Sequence, residues 1–236
     1  MSENFIRTQS LIGVTALQKL NKSSVVVFGL GGVGSYCAES LARAGVGKLI
    51  LVDSDKISES NINRQLIALY DTIGKYKTKV LAKRLKKINP KIEIITHEIF
   101  YLKDTANIID LSNVDYIVDA IDTVTAKILL AKRAQEENIK IISSMGTGNK
   151  LDNTKFKVAD IFETKVCPLC KVMRKELKVN NIKSLKVVYS EEEPKNAEDI
   201  FDIAKDKKIP ASISFVPSVA GLIMTGVVIN ELIENA

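Results

Sequence analysis

The chain has 236 residues, 46% hydrophobic and 26% charged, which suffices for one α/β domain with extensions and not for two full-sized catalytic domains. It carries a net charge of +6 and three cysteines behind a polar start, Met1-Ser2-Glu3-Asn4, with no apolar leader. That excludes a disulfide-stapled secreted scaffold and predicts a cytoplasmic protein.

Residues 25–28 are β-branched and unbroken up to Phe28, as in a strand buried on both faces of a parallel sheet. Four glycines follow within six residues: Gly29, Gly31, Gly32 and Gly34. They permit a tight turn, close backbone approach to a phosphate, and packing of the next helix on the strand. That helix, expected over 35–44, points its free N–H groups at an anion. A second strand over 48–52 ends at Asp53, nineteen residues past Gly34, where a carboxylate accepts hydrogen bonds from ribose hydroxyls.

Beyond it the sequence predicts a polar segment over 54–64, a short helical stretch near 65–70 and an amphipathic helix over 75–88, which Asn89-Pro90 stops. Strands are expected at 92–96, 114–120 and 140–144, with a short helix at 105–111 and a longer one at 124–138. This alternation argues for a doubly wound, mainly parallel Rossmann-like sheet with right-handed crossovers. From about residue 151 the pattern changes: strand 155–161, helix 169–178, strand 185–190, a charged mobile crossover over 195–208 and a closing helix over 216–233. The expected organisation is a core over 1–150, with its N-terminal arm, and a C-terminal α+β extension over 151–236 packed on it. The charge-free stretch 210–230 has a dense apolar part of about fourteen residues interrupted by Pro217, Gly221 and Gly226, short of the roughly twenty that a membrane span needs. A buried core helix is expected there.

Asn61-Ile62-Asn63-Arg64-Gln65 places a cation and amides just past Asp53, where a redox dinucleotide has no use for them and a triphosphate does. Lys77 lies one turn before Val80 and Leu81 and is expected to point toward the sheet, unlike Lys79 and Lys83. Asp122 follows the fourth strand. Ligands of open α/β sheets bind outside the carboxyl ends of strands, so Asp53, Asp122 and the glycine turn should share one rim. A cationic pair and a carboxylate around ATP suit nucleotidyl transfer. Arg64 and Lys77 would neutralise charge on the transferring phosphorus and leaving group, and Asp122 would hold Mg²⁺ against phosphate oxygens. A substrate carboxylate is already a nucleophile at neutral pH, so no general base is required. His97, the single histidine, is read as structural or surface.

The run "GLGGVGSYCAESLARAGVGKLILVDSDKISESNINRQ", with "IGKYK", "INP" and "DAID", resembles the ubiquitin-activating-enzyme-like superfamily of ThiF, HesA and molybdopterin-synthase adenylyltransferase proteins over about residues 7–148. "FIRTQSLIG", "NINRQ" and "DAIDTVTAK" look most like its tRNA threonylcarbamoyladenosine dehydratase branch. The resemblance implies a ligase-type, ATP-dependent reaction. The side-chain carboxylate of threonylcarbamoyladenosine beside the anticodon is adenylated, and an internal nitrogen closes the ring and expels AMP. By motif position, Gly31 and Gly32 would contact phosphate, Asp53 the ribose, Arg64 and Lys77 the transferring phosphate, and Asp122 the metal and α-phosphate. It further implies a homodimer, tRNA as partner and a cysteine-desulfurase sulfur-transfer system. Arg7 is a loose match to an arginine that crosses the superfamily's dimer interface.

Eight basic and no acidic residues lie between Lys75 and Lys91, and six basic residues face one glutamate between Lys165 and Lys183. These stretches serve either as tRNA contacts or as solvated helix faces. Cys167-Pro168-Leu169-Cys170 is half of a four-thiolate zinc site. Its absent second pair tilts the reading away from an adenylyltransferase for the Gly-Gly tail of a sulfur-carrier protein, which is the alternative. Two ordinary cysteines at a helix start are expected, with Cys37 committed to packing. Asn61 and Gln65 are either phosphate ligands or caps. Asp119 is expected to support Asp122, and Glu191-Glu192-Glu193 to form a solvated turn.

Overall fold

The computed structural model describes residues 3–195, 200–202 and 207–234. Two helices, α1 (Ile6–Ile12) and α2 (Val14–Lys22), precede the first strand. Then come β1 (Ser24–Phe28), α3 (Gly34–Ala44), β2 (Lys48–Val52), α4 (Lys77–Ile88), β3 (Glu93–His97), β4 (Tyr116–Asp119), α5 (Val124–Glu136) and β5 (Lys140–Ser144). The remainder comprises β6 (Phe156–Asp160), α6 (Pro168–Val179), β7 (Lys186–Ser190), β8 (Ile200–Asp202), β9 (Lys207–Ile209) and α7 (Phe215–Ile233). Seven strands form one sheet in the order β3-β2-β1-β4-β5-β7-β6, parallel except for β6 against β7. The sheet is the doubly wound α/β fold that the alternation predicts.

Period-two alternation divides the core. Val25, Val27, Leu49, Leu51, Tyr116 and Val118 face α2, α3, α4 and α7, through residues such as Leu20, Leu41, Leu81 and Met224. Val26, Phe28, Ile50, Val52 and Ile117 face α5 and the segment after β3, through Leu130, Tyr101 and Ile109. Both faces are covered, which is why these strands read as continuous apolar runs. Register brings the carboxyl ends of three strands level: Phe28 lies opposite both Val52 and Asp119. Gly29, Asp53 and Ala120 therefore leave the sheet at one edge, where the strand order reverses between the parallel neighbours β1 and β4.

Several expectations change. The stretch expected to be helical near 65–70 is irregular over residues 65–69. Single 3₁₀ turns, Glu59–Asn61 and Tyr70–Thr72, flank them instead. The helix expected over 105–111 is one 3₁₀ turn, Ala106–Ile108, and the α4 helix starts at Lys77 because Tyr76 bridges to Lys56. The charged crossover over 195–208 contains an antiparallel ribbon of β8 and β9; its other residues, 196–199 and 203–206, lie outside the described residues. Glu192 is no solvated turn. It is buried, and its carboxylate accepts N–H bonds from Leu151 and Asp152, fixing the loop after β5. Both strands after residue 150 in the large sheet pair directly with the core strands or each other.

The α7 helix runs 19 residues, longer than the apolar stretch expected, and by length and composition it is long enough to cross a membrane. In the fold it buries Val216, Ala220, Met224, Val228 and Leu232 in the core. A Cβ on Gly221 would lie 2.3 Å from the Val33 carbonyl oxygen, so the absence of a side chain lets α7 close on the start of α3.

Candidate nucleotide site

A cavity of about 690 Å³ opens at the level carboxyl edge of β1, β2, β4 and β5. Among the residues expected to bind nucleotide, Gly29, Gly31, Gly32, Asp53, Asn61, Arg64, Gln65, Lys77 and Asp122 all line it. Gly34 does not. A Cβ there would sit 1.8 Å from the Gly29 carbonyl oxygen, so Gly34 serves the packing of α3 on the turn. Gly29 has φ +81° and passes 2.6 Å, measured from a hypothetical Cβ, from the Ala120 carbonyl oxygen; only glycine fits both demands.

Asp53 is built into the turn. Its Oδ2 accepts the Leu30 N–H at 2.7 Å and its Oδ1 the Asp55 N–H at 2.8 Å. Burial pushes its carboxyl above the usual range, against the opposing pull of Lys77 and of those two N–H bonds. Lys77, the first residue of α4, is buried as expected. Its Nζ lies 2.7 Å from Asp55 Oδ2 and 3.7 Å from Asp53 Oδ2. Asp55 is the more exposed of these acids, so the ammonium is shared between a fixed carboxylate and a loosely held one.

The Asn61–Gln65 segment divides its labour. Asn61 Oδ1 accepts the Ser58 N–H at 3.2 Å and caps its own 3₁₀ turn. Arg64 donates from Nη1 to the Ser60 carbonyl and to Asn63 Oδ1, both at 2.8 Å, and burial lowers its pKa. Asn63 ties this loop to the Ser212 carbonyl. Gln65 is buried, lies beside Gly31, and its Oε1 has no hydrogen-bond partner among the described residues. Such an orphaned acceptor inside a polar cavity fits a site that a hydroxyl- or amine-bearing ligand completes.

Asp122 is exposed at the cavity wall, with only the Thr123 hydroxyl on its carboxylate. Among the described residues no three His, Cys, Asp or Glu side chains gather as a protein-only metal cage. A single carboxylate together with the phosphates of a nucleotide is nonetheless a donor set that suits Mg²⁺. Asp119 takes a different part. It is fully buried and pairs with Lys127 at 3.0 Å. Lys127 Nζ also donates to Ser143 Oγ and the Ser144 carbonyl, filling its three donor positions, while Asp119 Oδ1 accepts the Ile121 N–H. This network fastens the ends of β4 and β5 beneath the loop that carries Asp122.

Lys127 was not anticipated from the sequence, although it shares a helical face with Leu130, Ala131 and Ala134. A cation on an apolar face is the signal for a buried partner. Ser144, Met145, Gly146, Thr147 and Gly148 also line the cavity beyond the anticipated set; glycines after a strand end mark them. His97 is half-buried at the end of β3, and its carbonyl accepts the Asp53 N–H. Arg7 is exposed on α1 and does not line the cavity of its own chain. Of the expected lysine stripe, Lys79 pairs with Glu98 and Thr96, and Lys86 donates to the Ile92 carbonyl. Lys83 stays exposed.

The sequence profile of the ThiF family matches residues 5–234. The chain belongs to the ThiF family. A relative named tRNA threonylcarbamoyladenosine dehydratase, from Bacillus subtilis, is 42% identical, covering 100% of this chain and 96% of its own. Crystal structures of the Escherichia coli dehydratase of the same name superpose with TM-scores of 0.90 for the complex with AMP and 0.88 for that with ATP. These share 29% and 28% identity and cover 99% of this chain and 95% of theirs. An adenylyltransferase and sulfurtransferase, MOCS3 of Aedes aegypti, is 39% identical over only 51% of this ThiF-family chain and 28% of its own length.

Proposed function

We propose that this protein is an ATP-dependent tRNA threonylcarbamoyladenosine dehydratase acting through an acyl-adenylate. What carries the reading is one rim that gathers the glycine turn, Asp53, Arg64, Lys77 and Asp122, in a chain alike end to end to enzymes of that name.

The adenine nucleotide lies with its phosphates over Gly31 and Gly32 and its ribose on Asp53. Lys77 moves from Asp55 to the phosphates, and Arg64 meets them from the other side. Asp122 would hold Mg²⁺, which supplies charge neutralisation at the phosphate oxygens when bound. The substrate carboxylate attacks the α-phosphorus and pyrophosphate leaves. The internal nitrogen then attacks the activated carbonyl, the ring closes and AMP leaves. Arg64 and Lys77 stabilise charge that builds on the α-phosphoryl group and the leaving pyrophosphate. Residues 1–150 supply the nucleotide side of this reaction, and residues 151–236 close it.

Lys56, at the cavity rim and over the Tyr76 ring, supports entry of a phosphate-bearing substrate such as the anticodon loop. Exposed Ile6, Leu11 and Val14 beside Arg7 support a homodimer, and a tRNA substrate places the reaction in the cytoplasm. A cysteine-desulfurase system is carried as a partner on the resemblance alone, and the sulfur-carrier alternative is favoured less by the lone Cys167/Cys170 pair and the half-length MOCS3 likeness.

The test supplies ATP, magnesium and tRNA bearing threonylcarbamoyladenosine, and reads the nucleosides by mass spectrometry. Loss of one water from the modified nucleoside, with one AMP and one pyrophosphate formed, is the expected result. An unchanged nucleoside, with AMP appearing instead on a carrier protein's Gly-Gly tail, would overturn it.

A further inference from the structure

The cavity wall includes Leu169, the third residue of a motif that the reaction leaves unused, Cys167-Pro168-Leu169-Cys170. Cys167 stands at the N-cap of α6 with extended backbone, φ −61° and ψ 118°, and Pro168 opens the helix. Cys170 follows three residues later. Both are buried free thiols, and among the described residues no third ligand joins them as a metal site. Residues three apart at a helix start have Cβ atoms about 5–6 Å apart. A disulfide needs them at about 3.5–4.5 Å. Closing the bond therefore takes a small displacement of the first turn of α6.

We propose that Cys167 and Cys170 are a reversible dithiol–disulfide pair whose closure weakens nucleotide binding in the adjoining cavity. This coupling rests on the cavity being the ATP site. The two thiols are differentiated. The Cys170 thiol beside it, and the backbone N–H groups of Cys170, Gly146 and Leu169, hold Cys167 below the usual thiol range against burial. Cys170 is pushed up by that contact with Cys167 and by burial. Cys167, at the N-cap where the free amides of the first turn face it, is the attacking sulfur, and Cys170, inside the helix, the resolving one. Cys37, whose burial raises its thiol to about 12, stays inert.

The route and the coupling come from the same neighbours. Gly146 and Leu169 line the cavity and the buried Cys167 sulfur lies behind their amides, so a small oxidant reaches it from the cavity when this wall opens. With hydrogen peroxide, the Cys167 thiolate attacks one oxygen and the O–O bond breaks. A sulfenic acid forms, and the departing hydroxide takes up the proton that the thiol gave up. The Cys170 thiol then attacks the sulfenic sulfur; the S–S bond forms, the S–O bond breaks, and a second water leaves with the Cys170 proton. Two thiols have lost two electrons to one peroxide. Drawing Cys167 toward Cys170 shifts Leu169 and releases the Gly146 amide, and both form cavity wall. By linkage, bound ATP resists that shift and protects the pair by the same factor.

The test treats the reduced full-length protein with hydrogen peroxide, then denatures and alkylates it for intact-mass and peptide analysis. One adduct, on Cys37, is expected in place of three, with Cys167 joined to Cys170. The dissociation constant for ATP should rise about two- to tenfold, the worth of one lost hydrogen bond, and return after dithiothreitol. Saturating ATP should slow the oxidation. Cys170→Ser should keep the reduced protein's ATP affinity and stop at a Cys167 sulfenic acid that dimedone traps. Three adducts after peroxide overturn the pair. A formed disulfide with unchanged ATP affinity overturns the coupling. Failure of the reduced protein to bind ATP would instead sink the nucleotide reading of the cavity and the coupling with it, while the adduct count still judges the pair.

Discussion

Two lysine–aspartate pairs stand at the same edge of the sheet, and they differ in one respect. Lys127 and Asp119 are fully buried, and every donor on the lysine is taken by Asp119, Ser143 and Ser144. Lys77 is also buried, but it is divided between Asp53 and the exposed Asp55, and it faces a cavity. A saturated buried pair holds structure and has no charge to spare. A divided pair keeps a cation in place yet releases it when a stronger anion arrives. The two strands that flank β1 thus carry the same chemistry in a saturated and in a divided form.

The largest effect should follow from removing the saturated cation. Lys127→Met leaves Asp119 charged and unpaired in the core, and stability should fall by about 3–5 kcal/mol in denaturant titration. The double variant with Asp119→Leu should recover most of it; unchanged stability in the single variant would refute the structural role. Lys77→Ala should reverse the pattern. Turnover should drop roughly a hundred- to a thousandfold, with the unfolding midpoint nearly unmoved.

Asp53 gives a pH test. Its folded pKa is raised, so the native state holds the proton more tightly than the unfolded chain, and ionising Asp53 costs the free protein stability. Stability from this group is therefore present at low pH and lost as pH rises through the raised value. Asp53→Asn should accordingly leave the free protein no less stable at neutral pH. ATP affinity, which needs the carboxylate, should fail on acidification at a pH above the ordinary aspartate value of about 3.9. Titrating ATP affinity against pH in both variants checks this.

Asp55→Asn should act more gently. With its competitor removed, Lys77 should bind phosphate more readily and ATP affinity should rise about two- to fivefold, in line with a partly exposed ion pair. The smallest change is expected on the basic face of α4. Because Lys79 and Lys86 are already engaged, charge reversal at Lys79, Lys83 and Lys86 should lower the salt slope of tRNA binding by only about one contact. A much larger loss would make the whole stripe a tRNA surface.

Much of this was legible because it depends on local pattern. The β-branched runs, the glycine spacing and the acid after β2 specify the turn and its edge without reference to distant residues. Lys77 was readable from helical phase alone. What escaped detection depends on contacts remote in sequence. Glu192 looks solvated beside Glu191 and Glu193, yet it is buried by the amides of Leu151 and Asp152. The engagement of Lys79 requires Glu98, brought near only when β3 pairs with β2. The helix expected over 65–70 fails because the Leu69 N–H goes forward to the Thr72 hydroxyl and not back along a helix. Gly34, by contrast, was counted with the nucleotide-binding glycines from spacing, and packing claims it.

A structure determined with bound ATP tests the central claim most directly. Lys77 Nζ should leave Asp55 for a phosphate oxygen, with Arg64 near the α-phosphorus, while Lys127 keeps its bond to Asp119. A nucleotide bound with Lys77 still on Asp55, and its α-phosphorus remote from both cations, would contradict the account.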